Sequence, residues 1–236
     1  MKRMLSLATL VLIAPVVLGD DASDARKIID KAIKASGRGD KVQAMTMNGK
    51  GIFCGMGGEI PYTGQWAKHL PDKMRMTIQD VFTLVVNGDK GWMGMSGSAM
   101  EMSKEQLAEQ KEALYAEWIE ELVPLRGEGF TLAAAGETKV NDKPAVGVKV
   151  SHAGHRDVTL YFDKDTGLLA KVEQTVKDES GKELKQESVI KEYVKVGDMK
   201  VPSKVLITRD GMKYIDGEMS DFKFSDSLPE STFEKP

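Results

Sequence analysis

Residues 65–95 read QWAKHLPDKMRMTIQDVFTLVVNGDKGWMGM, and apolar side chains recur in this stretch with a period of two. Short turn sequences, Leu70-Pro71-Asp72 and Asn87-Gly88-Asp89, separate the alternating segments. Because successive side chains of a strand point to opposite faces, this period predicts strands, and turns this short join antiparallel neighbours. The stretch therefore predicts an antiparallel meander, with strands at Lys73–Gln79, Phe82–Val86 and Gly91–Met95.

Two helices interrupt the same alternation elsewhere in the chain. Residues 23–36 place Ile29 and Ile33 on one apolar face, and residues 103–122 begin with a capping box, Ser103 with Gln106, and end before Pro124. The other predicted strands are Val42–Phe53, Gly58–Lys68, Ala99–Met102, Phe130–Ala135, Ala145–His152, Arg156–Phe162, Leu168–Lys177, Glu183–Val196, Lys200–Arg209 and Lys213–Phe224.

This element order predicts a mostly β (α+β) fold built on one large antiparallel sheet. Strand twist accumulates across so many strands, so the sheet is expected to curl. A curled sheet has a concave apolar face, which must be covered by a helix, by a ligand or by both. No repeat or linker appears, so residues 20–236 are expected to form a single domain.

The N-terminus has the layout of a secretory signal peptide. Lys2 and Arg3 precede an apolar run of about 15 residues that ends near Gly19, which is short for a membrane span. We expect cleavage there and release to the periplasm or the cell exterior; an uncleaved anchor is the alternative. The remaining chain has 31 basic and 36 acidic residues, scattered along its length, which argues against nucleic-acid binding.

Methionine is the most unusual feature of the composition, with 14 residues, many of them in M-x-M pairs. On a strand, residues i and i+2 share a face, so several strands each offer two thioethers to one side. Such a surface is soft and adaptable, although a methionine-rich core packed under the second helix is an equally open interpretation. The predicted cavity-lining residues are Met45, Met47, Trp66, Met74, Met76, Leu84, Val86, Met93, Met95, Met100, Met102 and Trp118.

Signals for catalysis or for a metal are weak. The sequence has no nucleophile elbow, phosphate loop or dinucleotide fingerprint, so we expect no enzyme activity and no cofactor. His152-Ala-Gly-His155 has metal-like spacing, but it lies across a predicted turn without a third ligand and is interpreted as a solvated turn. Thioethers suit Cu(I), which leaves a methionine-rich copper binder as a minor alternative. Cys54 has no partner for an internal disulfide.

Several segments resemble the LolA-like family of exported lipoprotein and lipid carriers. The stretch from Gln65 to Met76, with Trp66 and the turn Pro71, is similar to the family's Trp-containing strand, turn and next strand. The following hairpin, from Leu84 to Met93, and the closing Leu-Pro-x-Ser-x-Phe233 are also similar. The resemblance lies in the order of short motifs spread over most of residues 23–236.

The resemblance implies a half-barrel of antiparallel strands whose open side is closed by helices, with acyl chains bound in the hollow. It implies a lipid or a lipidated protein as partner, and we expect a monomer. Dedicated carriers of the family have an Arg just before the turn Pro that is tied to lid opening; here His69-Leu70 precedes Pro71. The alternative is an envelope sensor or protein-interaction module with a packed, ligand-free hollow.

Overall fold

The protein is described from a computed structural model, which covers residues 21–40, 43–55, 57–95 and 97–236. The predicted signal peptide, residues 1–19, lies outside the described residues. The elements in chain order are α1 (Asp21–Ser36), β1 (Ala44–Phe53), β2 (Ile60–His69), β3 (Lys73–Ile78), β4 (Phe82–Asn87), β5 (Lys90–Met95), β6 (Ser98–Glu101), α2 (Lys104–Glu120), a 3-10 turn (Val123–Arg126), β7 (Phe130–Val140), β8 (Lys143–His152), β9 (Val158–Asp163), β10 (Leu169–Lys177), β11 (Glu183–Val196), β12 (Met199–Arg209), β13 (Met212–Ser225) and a second 3-10 turn (Glu230–Phe233).

All thirteen strands belong to one antiparallel sheet, which confirms the predicted fold class. The spatial order is β6-β5-β4-β3-β2-β1-β13-β12-β11-β10-β9-β8-β7. The first half of the sheet consists of β1–β6 and the second half of β7–β13, and within each half the strands are neighbours in sequence order. The two halves are joined where β1 pairs with β13. The sheet is open, because β6 and β7 are its two edges.

The sheet curls around α2. Glu109 of α2 accepts a hydrogen bond from the backbone N–H of Lys177, at the end of β10, and Lys111 donates to Asp89, between β4 and β5. These helix residues are about 3 Å apart along the axis. Strands β4 and β10 are seven places apart, about 34 Å in a flat sheet. Only a strongly curved sheet brings both strands into contact with one short stretch of a single helix.

Helices cover the inner, concave face and divide its core into two clusters. The larger cluster joins Ile29 and Ile33 of α1 and Ile119 of α2 to the second half of the sheet. The smaller cluster packs Leu114 of α2 against Met74 and other residues of the first half. Trp118 packs against both clusters, so α2 connects the two halves.

Both predicted helices form where the sequence placed them. The Ser103 side chain accepts from the Gln106 N–H, and the Gln106 side chain accepts from the Ser103 N–H, so the capping box is confirmed. One strand is longer than predicted: β7 continues past Gly136 to Val140. Gly136 has φ of +78°, and the register shifts there between Ala134 and Glu137, so this glycine forms a bulge and does not end the strand. Within the described residues, no helix is both long and apolar enough to cross a membrane.

The C-terminal segment packs on the outer face of the first half. Phe233 is 1% exposed and lies in a cluster with Ala67 and Val85, with Trp92 beside it. Arg75 donates to the backbone carbonyls of this segment. Because Val85 alternates with the inner residues of β4, this contact supports the inner face from behind.

We expect Phe233→Ala to lower the free energy of unfolding by about 3–5 kcal/mol, since it empties a fully buried ring site. Urea denaturation measures the change. Met212→Ala is the control, because Met212 is 73% exposed and its loss should cost less than about 0.5 kcal/mol. Equal effects of the two substitutions would show that the C-terminal segment does not hold the sheet.

Candidate functional site

The strand register places the predicted apolar residues of the first half in rows on the inner face. Directly opposed residues of antiparallel strands share a face, so one row can be followed from strand to strand. This row is Met47 (β1), Trp66 (β2), Met76 (β3), Leu84 (β4), Met93 (β5) and Met100 (β6). The next row, two residues along, is Met45, Lys68, Met74, Val86 and Gly91.

Of the remaining predicted residues, Met95 shares a strand face with Met93, and the Met102 N–H bonds to the Gly91 carbonyl at the end of the second row. Trp118 meets this surface from α2. The structure therefore brings the predicted residues to one side of the sheet.

Helix α2 covers only part of this surface. Met74, Leu84 and Val86 are buried under it, and Met76, Met93 and Met102 pack at its border. Met95 and Met100, near the β6 edge, are 52% and 68% exposed. The rows thus run from a packed region beneath α2 to open positions on either side of it.

The uncovered inner face around β1 and β2 is rich in apolar and aromatic side chains. We call it the open inner patch, and its residues are half-buried and lie outside the buried core clusters. The rings of Tyr62 and Trp66 meet edge to face with centroids 6.4 Å apart. The open inner patch consists of Met47, Tyr62, Trp66, Ile78 and Phe222.

Strand glycines make room for the two aromatic rings. A Cβ atom on Gly49 would lie 2.5 Å from the Trp66 ring, and one on Gly51 would lie 2.8 Å from the Tyr62 hydroxyl. The two rings therefore pack flat against the sheet over the glycines, where a larger residue would push them away from the strands. The sequence analysis did not select Tyr62 as a site residue; the two glycines two apart inside the predicted strand Val42–Phe53 were the available signal.

Two ion pairs hold α2 and its end against the inner face. The Lys68 side chain is 11% exposed on β2, and its Nζ donates to Glu117 of α2 at 2.6 Å. Arg38, just after α1, pairs with Glu121 at the end of α2. The Arg38–Glu121 pair is largely shielded from water, whereas Glu117 is 38% exposed; breaking either pair would leave at least one poorly solvated charge, that of Lys68 in the first pair.

Glu120 lies beside these pairs and has a perturbed carboxyl group. Burial raises its pKa to about 7, and the nearby Glu117 carboxylate adds to the rise, whereas Lys68 and Arg38 oppose it. Near neutral pH, Glu120 is therefore poised between its neutral and charged forms, at the point where α2 meets β2.

The outer face behind the open inner patch is polar. One groove of about 390 Å³ and an adjoining one of about 670 Å³ share Asn48, Gln65, Thr77 and Asp221. Asn48 donates to the Asp221 carboxylate at 2.9 Å, beside the bulge where β1 pairs with β13. This side of the sheet offers amide and hydroxyl groups and differs sharply from the apolar inner side.

His152 and His155 flank a turn whose residues 153–155 are exposed, as predicted, but both histidine rings also contact other elements. The His155 ring stacks on Tyr115 of α2 with centroids 3.7 Å apart, and His155 Nδ1 donates to Glu112 at 2.9 Å. His152 lies between Tyr115 and Phe130. Burial raises the pKa of Tyr115 to about 12, so its hydroxyl stays neutral. The turn is real, but its side chains fasten α2 to the second half.

Histidine, cysteine and carboxylate side chains do not cluster into a metal site among the residues that the structure describes. There, no group of three or more His, Cys, Asp or Glu side chains is placed to hold a metal ion. Cys54 is a half-buried free cysteine at the end of β1.

Comparison with solved structures identifies the fold. A LolA superfamily protein from Nitrosomonas europaea superposes with a TM-score of 0.60 at 14% identity, over 89% of this chain and 97% of that chain. A DUF1329 family protein from Desulfovibrio piger gives 0.60 at 12% identity, with the same coverage. A domain assigned to outer membrane lipoprotein sorting in Vibrio parahaemolyticus gives 0.54 at 15%, again with that coverage. The chain has a LolA-like fold. No family model and no curated protein matches its sequence.

The raised pKa of Glu120 predicts a pH-dependent stability. Between the ordinary pKa of 4.5 and the folded-state value of about 7, the folded state binds more protons than the unfolded state. The free energy of unfolding should therefore fall as pH rises from 4.5 to 7, by on the order of 2 kcal/mol. Glu120→Gln should flatten this slope, whereas Glu179→Gln, in an exposed turn, should not. Denaturant titrations across this pH range measure it, and an unchanged slope in Glu120→Gln would contradict it.

We expect His155→Ala to destabilise the protein by about 1–2 kcal/mol, because the ring stack on Tyr115 and the bond to Glu112 are both lost. His155→Phe should recover most of the loss, since it keeps the stack. Thermal unfolding compares the variants. A His155→Ala protein as stable as the wild type would show that this turn does not help to hold α2.

Proposed function

We propose that the mature protein binds acyl chains, of a lipid or of a lipidated protein, on the inner face, and that it does so without catalysis. The observation that carries this proposal is the open inner patch, where Met47, Tyr62 and Trp66 form an apolar surface over glycines, next to a helix that covers the middle of the row. Apolar ligands bind where apolar surface is concave and only partly filled.

The energy available from such a surface is sufficient for a carrier. Each methylene removed from water contributes roughly 0.8 kcal/mol, so ten methylenes supply about 8 kcal/mol before the cost of ordering the chain. Unbranched methionine side chains repack at low cost, which suits acyl chains of different lengths. The aromatic rings of Tyr62 and Trp66 add a rigid floor.

Helix α2 is the element we expect to exchange its contacts for those of the ligand. Its packing on the first half consists of adaptable residues such as Met74 and Met76, and the Lys68–Glu117 pair is the polar contact that would have to break as α2 moves. The Arg that dedicated carriers of the family have before the turn Pro is absent here. We propose that Lys68, at the end of β2, takes its place as the positively charged residue that pairs with α2.

The fold and the N-terminal sequence support an exported carrier. The chain superposes on a LolA superfamily protein and on a domain assigned to outer membrane lipoprotein sorting. We propose that cleavage near Gly19 releases the domain to the periplasm or the cell exterior, where it holds lipid or lipidated protein away from water.

One observation favours the second candidate, an envelope interaction or sensor module. Met74, Leu84 and Val86 are already buried beneath α2, so part of the inner face is filled by the protein itself. In this alternative α2 stays in place, and partners bind to other surfaces. Binding of acyl ligands distinguishes the two candidates.

A titration of the delipidated protein with a fluorescent long-chain fatty acid tests the proposal. We expect saturable binding, weakened about tenfold or more by Trp66→Ala, because the largest apolar contact of the open inner patch is lost. Gln65→Ala is the matched control: it is the preceding residue of the same strand, faces outward and should not change the affinity.

Met47→Asp is a second variant that should weaken fatty-acid binding, because it places a charge in the open inner patch without emptying the core. Circular dichroism must show that each variant is folded. Absence of saturable binding to the folded wild-type protein, or equal affinities for Trp66→Ala and Gln65→Ala, would overturn the carrier proposal in favour of the interaction module.

A further inference from the structure

Three methionines gather on one face of the hairpin that forms the β6 edge of the sheet. Met93 of β5 is directly opposite Met100 of β6, and Met95 is opposite Ser98. Because residues i and i+2 of a strand share a face, Met93, Met95 and Met100 lie on the same side. We call them the edge methionines.

Their spacing allows the three sulfur atoms to converge. Opposed residues in an antiparallel pair have Cβ atoms about 4.5–5.5 Å apart, and neighbours two apart on a strand are about 7 Å apart. Methionine is unbranched and has three rotatable side-chain bonds, so thioethers at these three corners can reach a common point. The sequence shows the M-x-M pairs, but only the register between β5 and β6 shows which pairs meet.

Exposure leaves the edge methionines free to bind. Met95 and Met100 are 52% and 68% exposed. Edge strands more often carry charged side chains, which prevent another chain from pairing with the edge, so exposed methionines here are unusual. Met93 packs against the smaller core cluster, which holds this side chain on the inner face. Met102, by contrast, packs into that cluster beside Leu107 and is committed to the core.

The donor set selects the kind of ion. Thioethers are soft and uncharged ligands, which favour Cu(I) over Zn²⁺, Mg²⁺ or Ca²⁺. On this face, Ser98 is the remaining side chain of the described β5–β6 ladder with a polar atom, while Glu101 is opposite Trp92 on the outer face. A hard cation would therefore find no carboxylate among these ladder positions.

We propose that the edge methionines form a Cu(I) site with three thioether ligands. The site is separate from the open inner patch, because it lies at the β6 edge, on the other side of the α2-covered residues of β3 and β4. It therefore does not depend on acyl-chain binding, and a lipid-free protein should hold the ion equally well.

Competition with a chromophoric Cu(I) chelator, under anaerobic conditions, tests the site. The wild-type protein should withdraw one equivalent of Cu(I), and Met95→Leu with Met100→Leu should weaken the affinity at least tenfold. Leucine preserves apolar volume and removes only the sulfur, so the fold should survive. The control is Met45→Leu with Met47→Leu, which removes two thioethers from β1 and should leave Cu(I) affinity unchanged.

NMR of methionine labelled with ¹³C at the methyl carbon locates the ion independently. Addition of Cu(I) should shift the Met93, Met95 and Met100 signals and leave Met45 and Met74 in place. The proposal fails if the wild-type protein does not compete with the chelator, if the β1 control loses as much affinity as the edge variant, or if the shifts appear elsewhere. Fatty-acid titration of the wild-type protein separates the two proposals: a protein that binds the fatty acid but does not compete with the chelator overturns the Cu(I) site alone.

Discussion

The rest of the structure depends on the double contact of α2 with the two halves of the sheet. On one side α2 packs Leu114 against Met74 and Val86; on the other it stacks Tyr115 on His155 and buries Ile119. Because α2 lies between the two halves and contacts both, its width limits how strongly the thirteen-strand sheet can curl. The helix therefore sets the shape of the concave face, and it also occupies much of that face.

This arrangement explains why the binding surface is divided. Large aliphatic residues such as Leu84 and Val86 face α2, where they contribute to stability in every state that keeps the helix docked. Tyr62 and Trp66 lie beyond its reach, over Gly49 and Gly51, where the strands carry no side chains that would lift the rings. Glycine inside a strand lowers its stability, and here the packing of the Tyr62 and Trp66 rings over the glycines offsets that loss while leaving the rings partly exposed. Stability and binding thus occupy adjacent parts of one row.

The sequence predicted what depends on neighbours along the chain. The capping box joins Ser103 to Gln106, three residues away, and M-x-M spacing follows from strand geometry alone, so the helix start and the shared methionine face were both accessible. Contacts between distant residues were not. Lys68 meets Glu117 across 49 residues and His155 meets Glu112 across 43, and both depend on where α2 lies in the curled sheet. For that reason, the contacts of the two histidines with α2 and the Lys68–Glu117 pair between β2 and α2 were missed.

Photo-crosslinking with a long-chain fatty acid that carries a photoreactive group on its acyl chain tests the central claim most directly. Peptide mapping by mass spectrometry then shows which residues touch the chain. The account predicts that saturable labelling concentrates on the inner residues of β1 and β2, within residues 44–53 and 60–69, and extends onto α2. Labelling of the outer face, labelling spread over the surface, or labelling that does not saturate would contradict an acyl-binding inner face.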